Sequence, residues 1–132
     1  MPPKFGYTIL YVADVEASVA FWERAFGFQR RFVHESGYAE LETGSTALAF
    51  ASFTLASSHG FAFDSAATAP FKFEVALVVD SVARAFEKAV AEGATPLATP
   101  DSKPWGQVIA YVQDLNGFTV ELCTAVGTEG KA

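Results

Sequence analysis

A run of β-branched and aromatic residues over Tyr7–Val12, YTILYV, predicts a strand, and beyond it the apolar positions change spacing. Val15, Val19, Trp22 and Phe26 recur at helical intervals, behind Asp14 as N-cap and with Glu16 in the first turn, where the helix dipole favours a negative charge. Gly27 ends the element as glycine commonly does. The order then recurs. A strand over 73–79 leads to a cap at Asp80, an apolar stripe of Val82, Ala85, Phe86, Ala89 and Val90, and a stop at Gly93. Three β-like runs follow each helix, at 28–33, 37–42 and 46–52 and then at 95–99, 107–112 and 118–124. Gly44-Ser45 and Asn116-Gly117 supply turns, the latter a strong hairpin signal. Each half reads βαβββ, an α+β pattern, and residues 53–70 form one long irregular connection.

The halves match residue by residue. Tyr7 falls on Glu74, Leu10 on Leu77, Val12 on Val79, Phe21 on Phe86 and Gly27 on Gly93. A unit of that size cannot easily bury its apolar face alone, so two copies are expected to pack together with a shared site between them.

Composition narrows the classes. At 132 residues with 51% hydrophobic and 18% charged content, the chain can bury one real core. No apolar run approaches the roughly 20 residues of a membrane span, and MPPKFGY lacks the regions of a secretory signal, so a cytoplasmic location is expected. The single cysteine, Cys123, cannot form an internal disulfide and reads as a small packing residue, and no Cys/His spacing suits zinc. A net charge of −6, with nine Lys and Arg, argues against nucleic acid and suits a cationic ligand. His34 and His59 stand without a partner at meaningful spacing, and no nucleophile triad or phosphate loop is present.

The repeated βαβββ unit, the Asp-capped DVEASVAFWERAFGF and the closing PWGQVIAYVQDLNGFTVEL together resemble the vicinal oxygen chelate superfamily: glyoxalase I, bleomycin resistance proteins and extradiol dioxygenases. The resemblance implies one glyoxalase-like domain over 1–132, with module one at about 5–53, a connection at 54–70 and module two at about 71–124. It also implies that two βαβββ modules form a curled mixed-sheet cup. Where members hold a metal, the ligands come from the first and last strands of each module. Those positions fall here on Tyr7, Ala49, Glu74 and Glu121. Alanine cannot ligate, and two carboxylates without an imidazole suit zinc or nickel poorly, so no cofactor is expected. Glu74 and Glu121 could still hold a hard divalent cation weakly, with water completing its shell. Facing each other, the two carboxylates would repel and raise the pKa of at least one.

Alternation extends the cup. The face that carries Tyr7 also carries Ile9 and Tyr11, while Thr8, Leu10 and Val12 turn toward the helices. Ala47, Ala49 and Ala51 join the cup face, as do Glu74, Ala76 and Val78, and Thr119, Glu121 and Cys123. By analogy with glyoxalase-like members, Gln107, Ile109 and Tyr111 face inward, with Tyr38 and Glu40 opposite. Small alanines among tyrosines, with Trp105 nearby, read as a small-molecule pocket. Its candidate ligand-binding residues are Tyr7, Tyr11, Tyr38, Ala49, Glu74, Trp105, Gln107, Ile109, Tyr111 and Glu121. Trp22 reads as core. Phe53, Phe61 and Phe63 make the connection apolar for a loop, which predicts cover from a second subunit and hence a homodimer.

Two functions follow from the resemblance. One is a binding protein with a degenerate metal site that sequesters a cationic or aromatic ligand. The other is a divalent-metal-dependent lyase or isomerase resembling lactoylglutathione lyase, with Glu121 or Glu74 as catalytic base.

Overall fold

The computed structural model describes residues 2–60 and 64–125. The chain divides into two compact units, Met1–Ala67 and Thr68–Ala132, here unit 1 and unit 2. In unit 1, strand β1 (Tyr7–Val12) leads into helix α1 (Val15–Phe26), followed by β2 (Arg30–His34), β3 (Tyr38–Leu41), β4 (Ala47–Ser52) and a short helix α2 (Phe53–Ser58). In unit 2, β5 (Glu74–Val78) and α3 (Val82–Ala91) precede β6 (Thr95–Ser102), β7 (Val108–Gln113) and β8 (Thr119–Cys123). Each unit carries one mixed four-stranded sheet, ordered β1-β4-β3-β2 and β5-β8-β7-β6, and the architecture is α+β. First and last strands pair in parallel, β1 on β4 and β5 on β8, and the remaining pairs are antiparallel.

Local chemistry sets the helix ends. The Asp14 carboxylate accepts from Ala17 N at 3.0 Å, which satisfies a donor that the first turn leaves open. Gly27, at φ 80°, closes α1 in the left-handed conformation that glycine adopts without steric cost. In unit 2 the cap is Ser81, not Asp80: the Ser81 hydroxyl accepts from Arg84 N at 3.2 Å. Both residues can cap, and the apolar face of α3 selects the one whose register buries Val82 and Ala89.

One expected loop is helical at its start. Residues 53–58 fold as α2, because Ser52 ends β4 in an extended conformation and its hydroxyl accepts from Leu55 N at 3.0 Å. Phe53 therefore lies in a helix, half-buried, while Phe61 and Phe63 fall outside the described residues.

Each helix covers one face of its own sheet. In unit 1, α1 packs on β3 and β4, and Leu10, Val12, Leu41 and Phe50 are buried together with Val19, Phe21 and Trp22 of the helix. The Trp22 ring meets those of Phe26 and Phe50 at centroid distances of 4.7 and 5.7 Å. In unit 2, α3 lies on β6, β7 and β8 above Ala110, Val112, Val120 and Leu122. Strand alternation sends the other residues to the helix-free face. No helix among the described residues is long and apolar enough to cross a membrane.

Candidate functional site

The helix-free face of the unit 2 sheet gathers the chemistry. Tyr111 on β7 lies directly across from Glu121 on β8, and Glu74 on β5 pairs with Thr119, one diagonal step from Glu121. The Tyr111 hydroxyl donates to Glu121 Oε1 at 3.0 Å. Burial, and then this bond to a carboxylate, push the Tyr111 phenol up to about 12. Glu74 hydrogen-bonds to Glu121, and that bond, with burial and the neighbouring charge, raises the Glu74 carboxyl to about 7. Burial alone would also raise Glu121. Hydrogen bonds from Glu74, Cys123 and Tyr111 outweigh it and hold Glu121 below the usual carboxylate range. The two carboxyls therefore titrate as one unit, whose second proton is held up toward neutrality.

Cys123 packs beside the same carboxylate. Its thiol is buried, lies 3.7 Å from Leu77 O, and is pushed up to about 11 by burial and by its bond to Glu121.

Next to Tyr111 the sheet opens. Strand β6 slips register against β7 twice, between Pro96 and Ala98 and between Ala98 and Asp101. Two prolines without N–H groups cannot complete a ladder, and bulges accommodate them on this edge strand. The looped-out residues border a cavity of about 530 Å³ lined by Leu97, Pro100, Asp101, Lys103, Ile109 and Tyr111, among others. Lys103 Nζ donates to the Asp101 carboxylate at 3.1 Å on the rim. Leu97, Pro100, Asp101 and Lys103 were not among the residues expected at a site, although Pro96 inside the strand expected over 95–99, with Pro100 just beyond it, was the available signal.

Trp105 is presented on the turn between β6 and β7. Lys103 O accepts from Gly106 N at 3.0 Å, and Gly106 takes φ 97°, so the turn is tight. The indole is 60% exposed, yet its Nε1–H donates to Gln107 Oε1 at 2.6 Å. Gln107 is itself buried and passes the link on from Nε2 to Thr124 O at 2.8 Å. Gln107 thus serves to hold Trp105, and the exposed ring surface belongs to Trp105.

The candidates of unit 1 sit on the helix-free face of its own sheet. Tyr7 is 59% exposed, and Tyr11, Tyr38 and Glu40 are half-buried. Ala49 has no exposed surface, because it lies between Ile9 of β1 and Glu40 of β3. The Tyr38 hydroxyl donates to Glu40 Oε2 at 2.7 Å, and burial followed by this bond raises the phenol above its ordinary value.

The donor set at the four positions where the resemblance implies metal ligands does not fit a tightly held transition metal. Ala49 offers no donor atom, and the Glu74–Glu121 proton would have to leave before both carboxylates could ligate. Among the described residues no group of three or more His, Cys, Asp and Glu comes together.

Known structures share this architecture. A glyoxalase-related enzyme from Fulvimarina pelagi superposes with a TM-score of 0.80 at 25% identity, over 97% of this chain and 95% of that one. A glyoxalase/bleomycin resistance protein/dioxygenase family enzyme from Burkholderia phytofirmans PsJN gives 0.77 at 23% identity, over 92% and 98%. TioX from Micromonospora sp. ML1 gives 0.70 at 24% identity, over 92% and 98%. No curated protein is similar enough to count as a relative. The family model for the Glyoxalase/Bleomycin resistance protein/Dioxygenase superfamily matches residues 4–122, and the chain belongs to that superfamily.

Proposed function

We propose that the chain is a small-molecule binding protein that works without a resident metal and takes its ligand against the helix-free face of the unit 2 sheet. The observation that carries this reading is the cavity of about 530 Å³ beside Tyr111, whose hydroxyl is tied to the acid pair. Its volume lies within the roughly 300–1,000 Å³ of small-molecule sites. Leu97, Pro100 and Ile109 supply apolar wall. Tyr111 supplies a ring face, the Asp101–Lys103 ion pair marks the rim, and the Glu121 carboxylate stands behind the Tyr111 hydroxyl. An aromatic cation suits that combination, since the Glu121 carboxylate behind the Tyr111 hydroxyl favours the charge and the Tyr111 ring favours its plane. Tyr7, Tyr11, Tyr38 and Ala49 are not needed for this reading. A homodimer belongs to the same proposal and is supported by the exposure of Phe5, Tyr7 and Ile9 in unit 1 and of Phe73 and Val78 in unit 2.

The test has two arms. Elemental analysis of the purified protein is expected to find no stoichiometric metal, and Mg, Mn, Ni and Zn are expected to leave the melting temperature unchanged. Proflavine, a planar aromatic cation, is expected to bind the parent protein and to bind Tyr111→Ala and Glu121→Gln about tenfold more weakly, in line with a lost ring contact or charge. Stoichiometric zinc or nickel, or equal proflavine affinity in parent and variants, would overturn the proposal.

A further inference from the structure

The repeat that aligns the two units places Ala49 of β4 where unit 2 has Glu121 on β8. It therefore places Glu40, the cross-strand partner of Ala49, where unit 2 has Tyr111, the partner of Glu121. The carboxylate of unit 1 has moved one strand over. In unit 1 the acid stands on β3 and leans against an alanine, and in unit 2 it stands on the last strand and leans against a tyrosine.

The surroundings of Glu40 are aromatic. Phe32 lies directly across from it on β2, and Tyr38 donates to it from two residues away on its own strand. The Phe32 and Tyr38 rings meet at 6.3 Å with a tilt of 60°, and Phe32 stacks on His34 at 6.4 Å and 15°. Phe32 remains 49% exposed, so ring surface is accessible on the strand next to the carboxylate. The cations of β2 are engaged elsewhere. Arg30 binds Glu16 and Glu23, both at 2.8 Å, and Arg31 reaches Glu42 at 3.9 Å. Among the described residues no Lys or Arg pairs with Glu40. A carboxylate set between two aromatic side chains favours a soft cation over a hydrated one.

We infer that Glu40, with Phe32 and Tyr38, forms a binding site for an alkylated ammonium group on the helix-free face of unit 1. The carboxylate neutralises the charge, and the rings contact the methyl groups that carry it. Tyr38 orients the carboxylate through its hydroxyl. The inference is independent of the reading of unit 2, and its probe differs.

Choline and its neutral isostere 3,3-dimethylbutan-1-ol separate charge from shape. In amide-detected NMR titrations of the full chain at constant ionic strength, choline is expected to shift residues of β2 and β3, and the alcohol is not. Glu40→Gln and Phe32→Ala are each expected to weaken choline about tenfold, while Glu87→Gln, which removes an exposed carboxylate on α3, leaves its affinity unchanged. Phe32 is exposed and Gln is close in shape to Glu, so both variants are expected to keep the parent spectrum elsewhere. Equal shifts from choline and the alcohol, no shift in β2 and β3, or undiminished binding by Glu40→Gln would each overturn the inference.

Discussion

Single residues here often hold another residue in place. Gln107 is the clearest case, since its amide joins the Trp105 indole to the Thr124 carbonyl within a buried site. Replacing it by Leu keeps the volume and leaves a buried carbonyl without its donor, which costs about 1–3 kcal/mol. Urea unfolding of Gln107→Leu is expected to show that loss, together with faster depolarisation of Trp105 emission as the indole is released. This link was not legible in the sequence, where Gln107 reads as one more inward-facing polar group. The same holds for Ala49. Alternation identified its face, but only the register reveals that Glu40 and Ile9 cover it. The Glu74–Glu121 contact was legible only through the resemblance, which carries the ligand positions of the two strands onto these residues.

At the scale of elements, α1 is fastened to β2 by one side chain. The Arg30 guanidinium donates to both oxygens of Glu16 at 2.9 and 2.8 Å and to both of Glu23 at 2.8 and 3.1 Å, so it spans two turns of the helix. Hydrogen bonds from Arg30 hold the Glu16 and Glu23 carboxyls below their ordinary value of 4.5. A carboxyl whose folded value is depressed stabilises the fold above its unfolded value and loses that contribution as pH falls through the folded one. Arg30→Met is therefore expected to be less stable than the parent at neutral pH, with the difference shrinking as pH falls below the ordinary carboxylate value of 4.5. The pair geometry is bidentate, the case in which a surface ion pair has a measurable effect. Sequence spacing put Glu16 and Glu23 on one helix but gave no reason to link them to Arg30. The short helix α2 escaped for a different reason: six residues are too few to establish a period, and only Ser52 as a cap could have announced it. Strands were legible because each carries β-rich composition between turn signals, whereas the bulges of β6 depend on pairing with β7.

For the whole molecule, the repeat was the strongest signal, and both units follow the predicted order of elements apart from α2. The proposed homodimer is tested at this scale. Fully covering a large apolar side chain contributes about 1.5–3 kcal/mol, so several exposed ones favour association. Sedimentation equilibrium at micromolar concentration is expected to return twice the 14.1 kDa of the chain. A monomer mass at that concentration would remove the dimer from the proposal without touching the cavity beside Tyr111.

The parallel pairing of first and last strands governs the time at which a unit can close during synthesis. Tyr7 finds its partner only at Ala47, and Val12 only at Ser52, so β1 leaves the ribosome long before its hydrogen-bonding edge exists. Until then α1 and the β2–β3 hairpin can form from near neighbours, while the apolar side of β1 stays uncovered. Unit 2 repeats the delay, with Glu74 waiting for Thr119 and Val78 for Cys123. Such pairings close long loops and slow the final step of folding. A nascent chain halted before β4 would therefore expose Leu10 and Val12, residues that are buried once β4 arrives.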